Sequence, residues 1–389
     1  MKSQQFIFGS LIIVSITYFF ILTSCSFFPK DSLQQITPSS PFIKYTGRIL
    51  QQRNSILIAY SGSSIEFKLT GKTAVLSIID LGNGDAQHTN YLTIEVNGKC
   101  DSILQLQQHE SRYNISALLK KDTNVIKIFK RTEASVGIIE FQGLSIGNEA
   151  SLIQPSPSEH KLLWIGNSLT CGYGNELNIA TPPNGNPSTG FTSKNENNYN
   201  SWSSISSRKL NAESHQICYS GKGVYRNFDN SRSATLPMIF NQTFPNENYQ
   251  QQWNHINFQP ELTIINLSTN DFGPEMNDTN NLCDSTFFVN TYIDFLNQLQ
   301  NHYPNSKFIL VIGNALNDHW PANLNRLTRC RTYIQSVAIN CNHPELVSIF
   351  ELTTQTGPFG EDWHPSYQTH QKMSCEITPF IRKKMNWKN

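Results

Sequence analysis

Hydrophobic and polar residues alternate in short runs between residues 43 and 147, and turn residues such as Asn-Gly pairs separate the runs. The runs are rich in β-branched and aromatic residues, and most keep the period of two that buries one face of a strand. No helical pattern intervenes, so this segment is predicted to be an antiparallel β-sandwich. The predicted strands cover residues 55–60, 64–69, 74–79, 91–96, 124–129 and 137–141.

The pattern changes after a Pro-containing linker at residues 148–160. From residue 161 to residue 389, short apolar runs alternate with segments in which apolar residues recur every three or four positions, which is typical of an α/β fold. We expect a parallel sheet with helices on both faces. The predicted strands are 161–165, 215–219, 262–267, 308–312 and 346–350, and the predicted helices are 199–210, 287–303, 324–339 and 367–385.

The first 25 residues resemble a bacterial export signal. Lys2 precedes an apolar run at 6–22, and small residues then lead to Cys25, as in a lipobox where the cysteine thiol is lipidated after cleavage. The sequence predicts a lipoprotein signal peptide at 1–25, a tether at 26–42 and a lipid anchor that holds the exported chain to a membrane of the cell envelope. The alternatives are an ordinary signal peptide on a secreted protein and an uncleaved anchor, since the run is near the short limit for a membrane span.

Composition narrows the classes of function. The chain has 389 residues and a formal net charge of +1 at pH 7, so it lacks the basic excess of proteins that bind nucleic acid. Seven cysteines follow Cys25, but none forms a CxxC pair or a His/Cys spacing typical of structural zinc. Export permits disulfides, and Cys330 and Cys341 are the nearest pair in sequence, but spacing alone assigns no pairing.

Candidate chemistry begins in the first strand of the predicted α/β domain. Its apolar run ends at Gly166, and Ser168 follows two residues later. A serine in the turn at the carboxyl end of a strand is one way in which an α/β fold presents a nucleophile. Taken alone, the same residues also suit a plain connection between a strand and a turn.

Later strands and loops place further polar residues at the same edge of the sheet. Gly221 follows the second predicted strand, Asn270 follows the third, and His364 lies in the loop after the last. Acyl transfer to a serine needs a neutral imidazole as base and hydrogen-bond donors aimed at the oxyanion, each donor contributing about 3 kcal/mol. Taken singly, Asn270 also suits an Asx turn and Gly221 a plain turn. The four residues in this order, with Ser168 first, favour acyl transfer.

These segments resemble the four sequence blocks of the SGNH (GDSL-type) hydrolases, a superfamily of serine esterases with a flavodoxin-like fold. The matching segments read IGNSLTCGYGN, YSGKGVYRN, INLSTNDF and DWHPS. Together with the β-rich domain before them, the chain resembles carbohydrate esterase family 2 from Ile43 to its C-terminus. The resemblance implies a jelly-roll domain followed by an SGNH domain, and removal of acetyl groups from plant polysaccharides such as xylan and glucomannan.

The resemblance also implies roles for individual residues. Ser168 becomes the nucleophile and His364 the general base, while Trp363 forms part of the substrate wall. The implied oxyanion hole has three donors, namely the Ser168 N–H, the Gly221 N–H (with Gly223 as the other candidate glycine) and the Asn270 side chain.

Three positions depart from the superfamily pattern. Asn167 stands where Asp usually precedes the nucleophile, and Ser268 stands where the third block usually begins with Gly. The superfamily's orienting Asp lies three residues before the His, where this chain has Glu361. We assign the third catalytic position to Asp362, with Glu361 or a main-chain oxygen as rivals. The main-chain oxygen is a rival because some family members with a similar segment work as a Ser–His dyad, in which a backbone carbonyl orients the histidine.

The sequence therefore predicts an exported, lipid-anchored and metal-independent serine esterase that acts on acetylated polysaccharide or oligosaccharide, as a monomer and without a cofactor. Two alternatives stay open: a non-catalytic glycan-binding lipoprotein on the same fold, and a lipid or thioester hydrolase of the same superfamily. Asn167 and Ser268 favour the first alternative. The polar, Asn-rich loop at 182–200 argues against the second, because a long acyl chain needs a long apolar groove.

Overall fold

The computed structural model describes residues 33–179, 189–245 and 251–388. The predicted signal peptide at 1–25, with Cys25, lies outside the described residues, and so do the first part of the predicted tether and part of the Asn-rich loop. In the described part of the chain, no helix is both long and apolar enough to cross a lipid bilayer.

Residues 33–153 form two antiparallel sheets, as the alternating pattern predicts. One sheet has the strand order β3-β4-β11-β6-β9, with β1 also paired to β11, and the other has the order β12-β5-β10-β7-β8, with β2 also paired to β5. The described strands are β1 (Leu33–Ile36), β2 (Ile43–Thr46), β3 (Ile49–Gln51), β4 (Ile56–Ile58), β5 (Ser64–Thr70), β6 (Ala74–Asp80), β7 (Tyr91–Val96), β8 (Lys99–Gln105), β9 (Arg112–Asn114), β10 (Thr123–Lys130), β11 (Ile139–Gly147) and β12 (Ser151–Ile153).

Alternation places one face of each sheet in a shared core. In β5, the side chains of Ile65, Phe67 and Leu69 are buried, while the residues between them are partly exposed. They join Ile56 and Phe141 of the other sheet in one apolar cluster. Full burial of a side chain the size of Phe67 stabilises the fold by about 2–3 kcal/mol. The sandwich therefore has its own hydrophobic core.

The sandwich extends beyond the predicted limits of 43 and 147. Strand β1, inside the predicted tether, pairs with β11, and strand β12, inside the predicted linker, pairs with β5. Both strands are short, and each keeps at least two exposed residues, so their sequences lack a clear alternation. Main-chain pairing to an existing sheet edge defines them instead.

Residues 160–388 form the predicted α/β domain. Its parallel sheet has the strand order β14-β13-β15-β16-β17, which is the flavodoxin-like order 2-1-3-4-5. The described strands and α-helices of this domain are β13 (His160–Gly166), α1 (Ser168–Cys171), α2 (Trp202–Lys209), β14 (Ala212–Cys218), α3 (Leu236–Ile239), β15 (Leu262–Asn266), α4 (Ser285–His302), β16 (Lys307–Ile312), α5 (Arg326–Asn340), β17 (Val347–Glu351) and α6 (Tyr367–Met385).

Helices cover both faces of this sheet. Apolar residues of α4 and α5 pack on one face, and apolar residues of α2 and α6 belong to the cluster on the other. Every residue of β15 is buried, as expected for a strand covered on both sides. The carboxyl ends of the strands therefore remain the open edge at which a ligand can bind.

A buried charged segment at residues 130–134, KRTEA, connects the two domains. It begins at the end of β10, and each of its residues is at most 1% exposed. The Arg131 guanidinium donates to the Glu176 carboxylate at 3.2 Å and to the Glu196 carbonyl at 3.4 Å, both in the α/β domain. The β-sandwich thus supplies charged groups to the interior of its neighbour.

Candidate active site

Ser168 is the first residue of α1, directly after strand β13. Asn167 precedes it in extended backbone, and its side-chain oxygen accepts the Leu169 N–H at 3.2 Å. Asn167 is therefore the N-cap, which satisfies one of the free N–H groups of the helix. A Cβ at Gly166 would lie 2.1 Å from Thr170 Oγ1, so only glycine fits where the strand meets the helix. This tight turn places the Ser168 hydroxyl at the open edge of the sheet.

His364 reaches the same point from the loop between β17 and α6. Its Nε2 lies 2.8 Å from Ser168 Oγ, and its Nδ1 lies 3.0 Å from the main-chain carbonyl oxygen of Glu361. A carbonyl only accepts hydrogen bonds, so in the neutral ring the proton is on Nδ1 and the lone pair is on Nε2. Nε2 is thus set to accept the hydroxyl hydrogen of Ser168.

The Asp362 carboxylate, the first candidate for orienting His364, points elsewhere. It accepts the Tyr173 hydroxyl at 2.7 Å and the N–H groups of Thr189 and Gly190 at 3.1 Å each. No hydrogen bond joins this carboxylate to the imidazole among the described residues. Through these hydrogen bonds, Asp362 instead connects Tyr173 and residues 189–190 to the loop that carries His364.

The side chain of Glu361, the second candidate, is also engaged away from the imidazole. Its carboxylate accepts the Thr192 hydroxyl and the Asn195 amide, each at 2.6 Å. Of the three candidates, the main-chain oxygen of Glu361 is the one that contacts His364 Nδ1. The described geometry is therefore that of a Ser–His dyad oriented by a carbonyl.

The loop that carries His364 has a strained backbone and packs against an aromatic ring. Asp362 and Trp363 have φ values of 48° and 63°, a left-handed region that costs non-glycine residues free energy unless the surroundings enforce it. The Tyr173 ring stacks on the imidazole, with ring centroids 4.1 Å apart. Sequence reasoning did not single out Tyr173, although it lies in the same Gly-rich block as Ser168.

The imidazole is held in its neutral form. Burial lowers the pKa of His364 below the usual value for histidine, and the hydrogen bond to the Glu361 carbonyl and the Asp362 charge only partly oppose this shift. Protonation therefore occurs at lower pH than in an exposed histidine. At pH 7 the ring is available as a base.

We expect Asp362→Asn to keep a substantial fraction of wild-type kcat at pH 7 and to move the acidic limb of kcat/KM to lower pH. The amide side chain can still accept main-chain N–H groups, so the loop contacts survive, and no catalytic hydrogen bond is lost. Because the Asp362 charge raises the pKa of His364, removing that charge lowers this pKa further. The measurement is a pH profile of kcat/KM for both proteins.

Total loss of activity in folded Asp362→Asn would contradict the dyad geometry. Glu361→Gln is the matched control, because it removes a carboxylate one residue away and leaves the orienting carbonyl in place. It should also retain activity at pH 7.

Gly221 and Gly223, the two candidate oxyanion glycines, differ in their surroundings. Gly221 has a φ of 77°, and a Cβ there would meet no described atom within 4 Å. Glycine is therefore required by the backbone conformation, and open space adjoins it. A Cβ at Gly223 would lie 2.0 Å from the Arg226 carbonyl oxygen. Packing therefore explains why residue 223 is a glycine, and Gly221 stays the candidate for the oxyanion hole.

Asn270 holds the turn that contains Gly221. Its side-chain N–H₂ group donates to the Lys222 carbonyl at 2.8 Å, and the residue is 6% exposed. An amide has two N–H donors, so one hydrogen supports the turn and the second is available to an oxyanion. Asp271, the next residue, accepts the main-chain N–H groups of Val224 and Tyr225 at 2.9 Å, and burial raises its pKa to about 6.

Ser268, one of the departures from the superfamily pattern, lies where the backbone conformation favours glycine. It has a φ of 150° and is fully buried, two residues after the end of β15. This φ favours glycine, so the usual glycine of the third block has a conformational reason. The chain keeps the turn with a serine in it.

One group of potential metal ligands occurs in the described part of the chain. Ligand atoms of Glu133, Cys171 and Glu196 lie within 4.8 Å of one another, and all three residues are buried. Cys171 is the last residue of helix α1, which begins at Ser168, so this group adjoins the candidate active site.

Comparisons with known proteins agree with this architecture. A family model described as the N-terminal domain of carbohydrate esterase 2 matches residues 45–157. The structure superposes with a TM-score of 0.78 on a family two carbohydrate esterase from Clostridium thermocellum, solved in complex with cellohexaose, and the two chains are 30% identical. The match covers 89% of this chain and 100% of the other. This chain belongs to carbohydrate esterase family 2.

Other members of carbohydrate esterase family 2 are more distant in sequence. A family two carbohydrate esterase from Cellvibrio japonicus has a TM-score of 0.79 at 22% identity over 92% of this chain and 99% of its own, which shows the same fold. An acetylxylan esterase / glucomannan deacetylase from the same organism is 23% identical over 92% of this chain and 93% of its own.

The cellulase/esterase CelE of Acetivibrio thermocellus is 31% identical over 353 residues, which is 90% of this chain. The chain spans only 40% of the length of CelE. What the two proteins share is therefore this family 2 pair of domains, and the rest of CelE has no counterpart in the match.

Proposed function

We propose that this chain is a metal-independent serine esterase that removes O-acetyl groups from polysaccharides or oligosaccharides. The observation that carries the proposal is the 2.8 Å distance between His364 Nε2 and Ser168 Oγ. A neutral imidazole with a free lone pair at this distance is what a serine hydroxyl needs in order to act as a nucleophile. Family membership supports an ester as the bond that is cleaved.

In the acylation half-reaction, Ser168 Oγ attacks the acetyl carbonyl carbon while its proton passes to His364 Nε2. The carbonyl oxygen becomes an oxyanion, which accepts hydrogen bonds from the Gly221 N–H, the Ser168 N–H and the free amide hydrogen of Asn270. When the intermediate collapses, the sugar oxygen leaves and takes the proton from His364. The products are the free sugar hydroxyl and an acetyl-serine.

In the deacylation half-reaction, His364 takes a proton from water, and the resulting hydroxide attacks the acetyl-serine. The same three donors stabilise the second oxyanion. Acetate then leaves as Ser168 Oγ regains its proton from His364. The Glu361 carbonyl keeps the imidazole in the required tautomer through both steps, because it accepts from Nδ1 throughout.

The substrate proposal rests on relatives and on one exposed ring. The names of two relatives include acetylxylan esterase, glucomannan deacetylase and cellulase/esterase, and a third was solved with cellohexaose. Trp363, next to His364, is 46% exposed and packs edge-on against Phe359 at 5.1 Å. Its open face suits the apolar face of a sugar ring, so we assign it to the substrate wall.

The two alternatives are less well supported. A glycan-binding protein without activity does not require the Ser168–His364 contact, and the departures Asn167 and Ser268 now have structural explanations as a helix cap and a turn residue. A lipid hydrolase is disfavoured because the relatives named above act on carbohydrate esters.

The cellular location remains part of the proposal. Cys25 and the apolar run before it support an exported chain anchored to the membrane by lipid. An exported esterase would meet polysaccharide outside the cell. Metabolic labelling with a fatty-acid analogue, beside Cys25→Ser, tests the anchor, and equal labelling of both chains would contradict it.

The proposed function is tested by acetate release from acetylated glucomannan and acetylated xylan, using the chain from Ser26 onward. We expect release that persists in the presence of a chelator, and highest kcat/KM at two carbons in a series of 4-nitrophenyl esters. An optimum beyond about eight carbons would indicate the lipid hydrolase. Binding of the polysaccharides without any release of acetate would indicate the glycan-binding protein.

A further inference from the structure

Glu133 belongs to the β-sandwich, yet its side chain lies beneath the active site of the α/β domain. It is 1% exposed and is part of the buried segment 130–134. Its carboxylate oxygen Oε2 accepts the main-chain N–H of Ser220 at 2.7 Å. Ser220 immediately precedes Gly221, whose N–H is a proposed oxyanion donor. One carboxylate from the first domain therefore fixes the peptide next to the oxyanion hole of the second.

The same oxygen also contacts the helix of the nucleophile. Cys171 Sγ lies 3.6 Å from Glu133 Oε2 at the other end of the short helix α1, which begins at Ser168. Because the nucleophile helix and the oxyanion turn share this acceptor, their separation depends on it. Glu196 completes the arrangement by accepting the Glu133 N–H at 3.0 Å.

We propose that Glu133 is a positioning residue, which holds the oxyanion turn at residues 219–222 in its productive geometry relative to Ser168. This inference rests on the esterase function proposed above. The 2.7 Å hydrogen bond from the Ser220 N–H to Glu133 Oε2 is the contact that positions the turn. Small displacements of catalytic groups lower kcat steeply, by up to about 100-fold for 1 Å.

A metal ion is the competing account of this cluster. The ligand atoms of Glu133, Cys171 and Glu196 are close enough to hold one. However, one oxygen of each carboxylate already accepts a main-chain N–H. The Lys130 amine is buried near both carboxylates; burial lowers its pKa to about 8, and the carboxylate charges only partly oppose this shift. At pH 7 the amine is mostly protonated, and its positive charge opposes a cation. The hydrogen-bonded role accounts for these contacts without one.

The test compares Glu133→Ala and Glu133→Gln with wild type, using 4-nitrophenyl acetate. We expect Glu133→Ala to lower kcat by about 10- to 100-fold with KM within about twofold. Glu133→Gln should stay within about threefold of wild type, because its amide oxygen can still accept the Ser220 N–H. Glu95→Ala is the matched control, since Glu95 accepts the Tyr199 hydroxyl at 2.9 Å across the domain boundary but, among the described residues, makes no hydrogen bond to the turn at 219–222.

A second readout separates positioning from loss of folded protein. Phenylboronic acid adds to a catalytic serine and places a boronate oxygen in the oxyanion hole, so its inhibition constant should rise about 10-fold or more in Glu133→Ala. Partial unfolding would lower kcat without changing this constant. Hydrogen exchange in the peptide that contains Ser220 should be faster in Glu133→Ala and unchanged in Glu95→Ala, and this readout does not require activity.

Three results would overturn the inference: unchanged kcat in Glu133→Ala, an unchanged inhibition constant, or slow exchange that persists at Ser220. Inactivation of wild type by a chelator, with recovery on adding zinc, would favour the metal site. If wild type is inactive on every ester but Ser220 still exchanges faster in Glu133→Ala, the esterase proposal fails while the contact between the domains stands.

Discussion

Replacing Ser168 by alanine is expected to lower kcat for 4-nitrophenyl acetate by roughly 10⁴- to 10⁶-fold, the range seen when a nucleophilic serine is removed from a working set of catalytic groups. The variant lacks the atom that forms the acyl intermediate, and His364 alone can only assist a direct attack by water. The measurement is the steady-state rate, together with the mass of the protein after treatment with a serine-directed sulfonyl fluoride. Wild type should gain one adduct, and Ser168→Ala should gain none.

Thr170→Ala is the control for this experiment. It also removes a hydroxyl from helix α1, but Thr170 Oγ1 has no hydrogen-bond partner among the described residues, and kcat should stay within about tenfold of wild type. Folding of Ser168→Ala should be preserved, because the hydroxyl that it lacks bonds mainly to His364. A fully active Ser168→Ala would show that another group is the nucleophile.

Replacing His364 by alanine is expected to lower kcat by a similar factor, because the serine loses its base. The substitution leaves a space beside the Tyr173 ring, which stacks on the imidazole in the wild type with centroids 4.1 Å apart. Free imidazole should enter this space and restore part of the activity in a concentration-dependent manner. The measurement is kcat at increasing imidazole concentration.

The double variant Ser168→Ala/His364→Ala should be no less active than Ser168→Ala, since the two residues act as one unit. Imidazole should not rescue it, because no nucleophile remains. Additive losses in the double variant would show that Ser168 and His364 act independently, and this result would contradict the dyad.

Much of the fold was predictable, because the residues that determine it are numerous and periodic. The alternation in β5 and the three- to four-residue spacing in α4 each involve several side chains in one core, so local pattern and tertiary packing agree. Strands β1 and β12 were missed because main-chain pairing holds them, and segments of four and three residues are too short to show an alternating pattern. Strand β8 was missed because three consecutive residues at its start are exposed.

The site was predictable where chemistry depends on side chains. Ser168, Gly221, Asn270 and His364 appear in the sequence as turn-forming or polar residues after apolar strands, and the structure brings Ser168 and His364 together. The orienting group was not predictable, because it is the main-chain carbonyl of Glu361, which every residue type carries. An acidic side chain nearby is a more visible but misleading sign.

The contact between Glu133 and Ser220 was also not predictable from the sequence. Glu133 lies in a charged run after β10, which on its own is typical of a solvated loop, and 87 positions along the chain separate it from Ser220. Only the way in which the two domains pack converts this exposed-looking segment into a buried one. Long-range contacts of this kind have no local pattern to reveal them.

The buried segment 130–134 also bears on the ancestry of this chain. Gene rearrangement readily exchanges domains that meet through polar, solvated surfaces. Here, however, the buried Arg131 guanidinium of one domain pairs with the Glu176 carboxylate of the other. Joining the β-sandwich to an unrelated module that covered the same surface would bury a guanidinium without its counter-charge, at a cost of about 3–5 kcal/mol. Descent should therefore have kept the two halves together, with substitutions on one side matched by substitutions on the other.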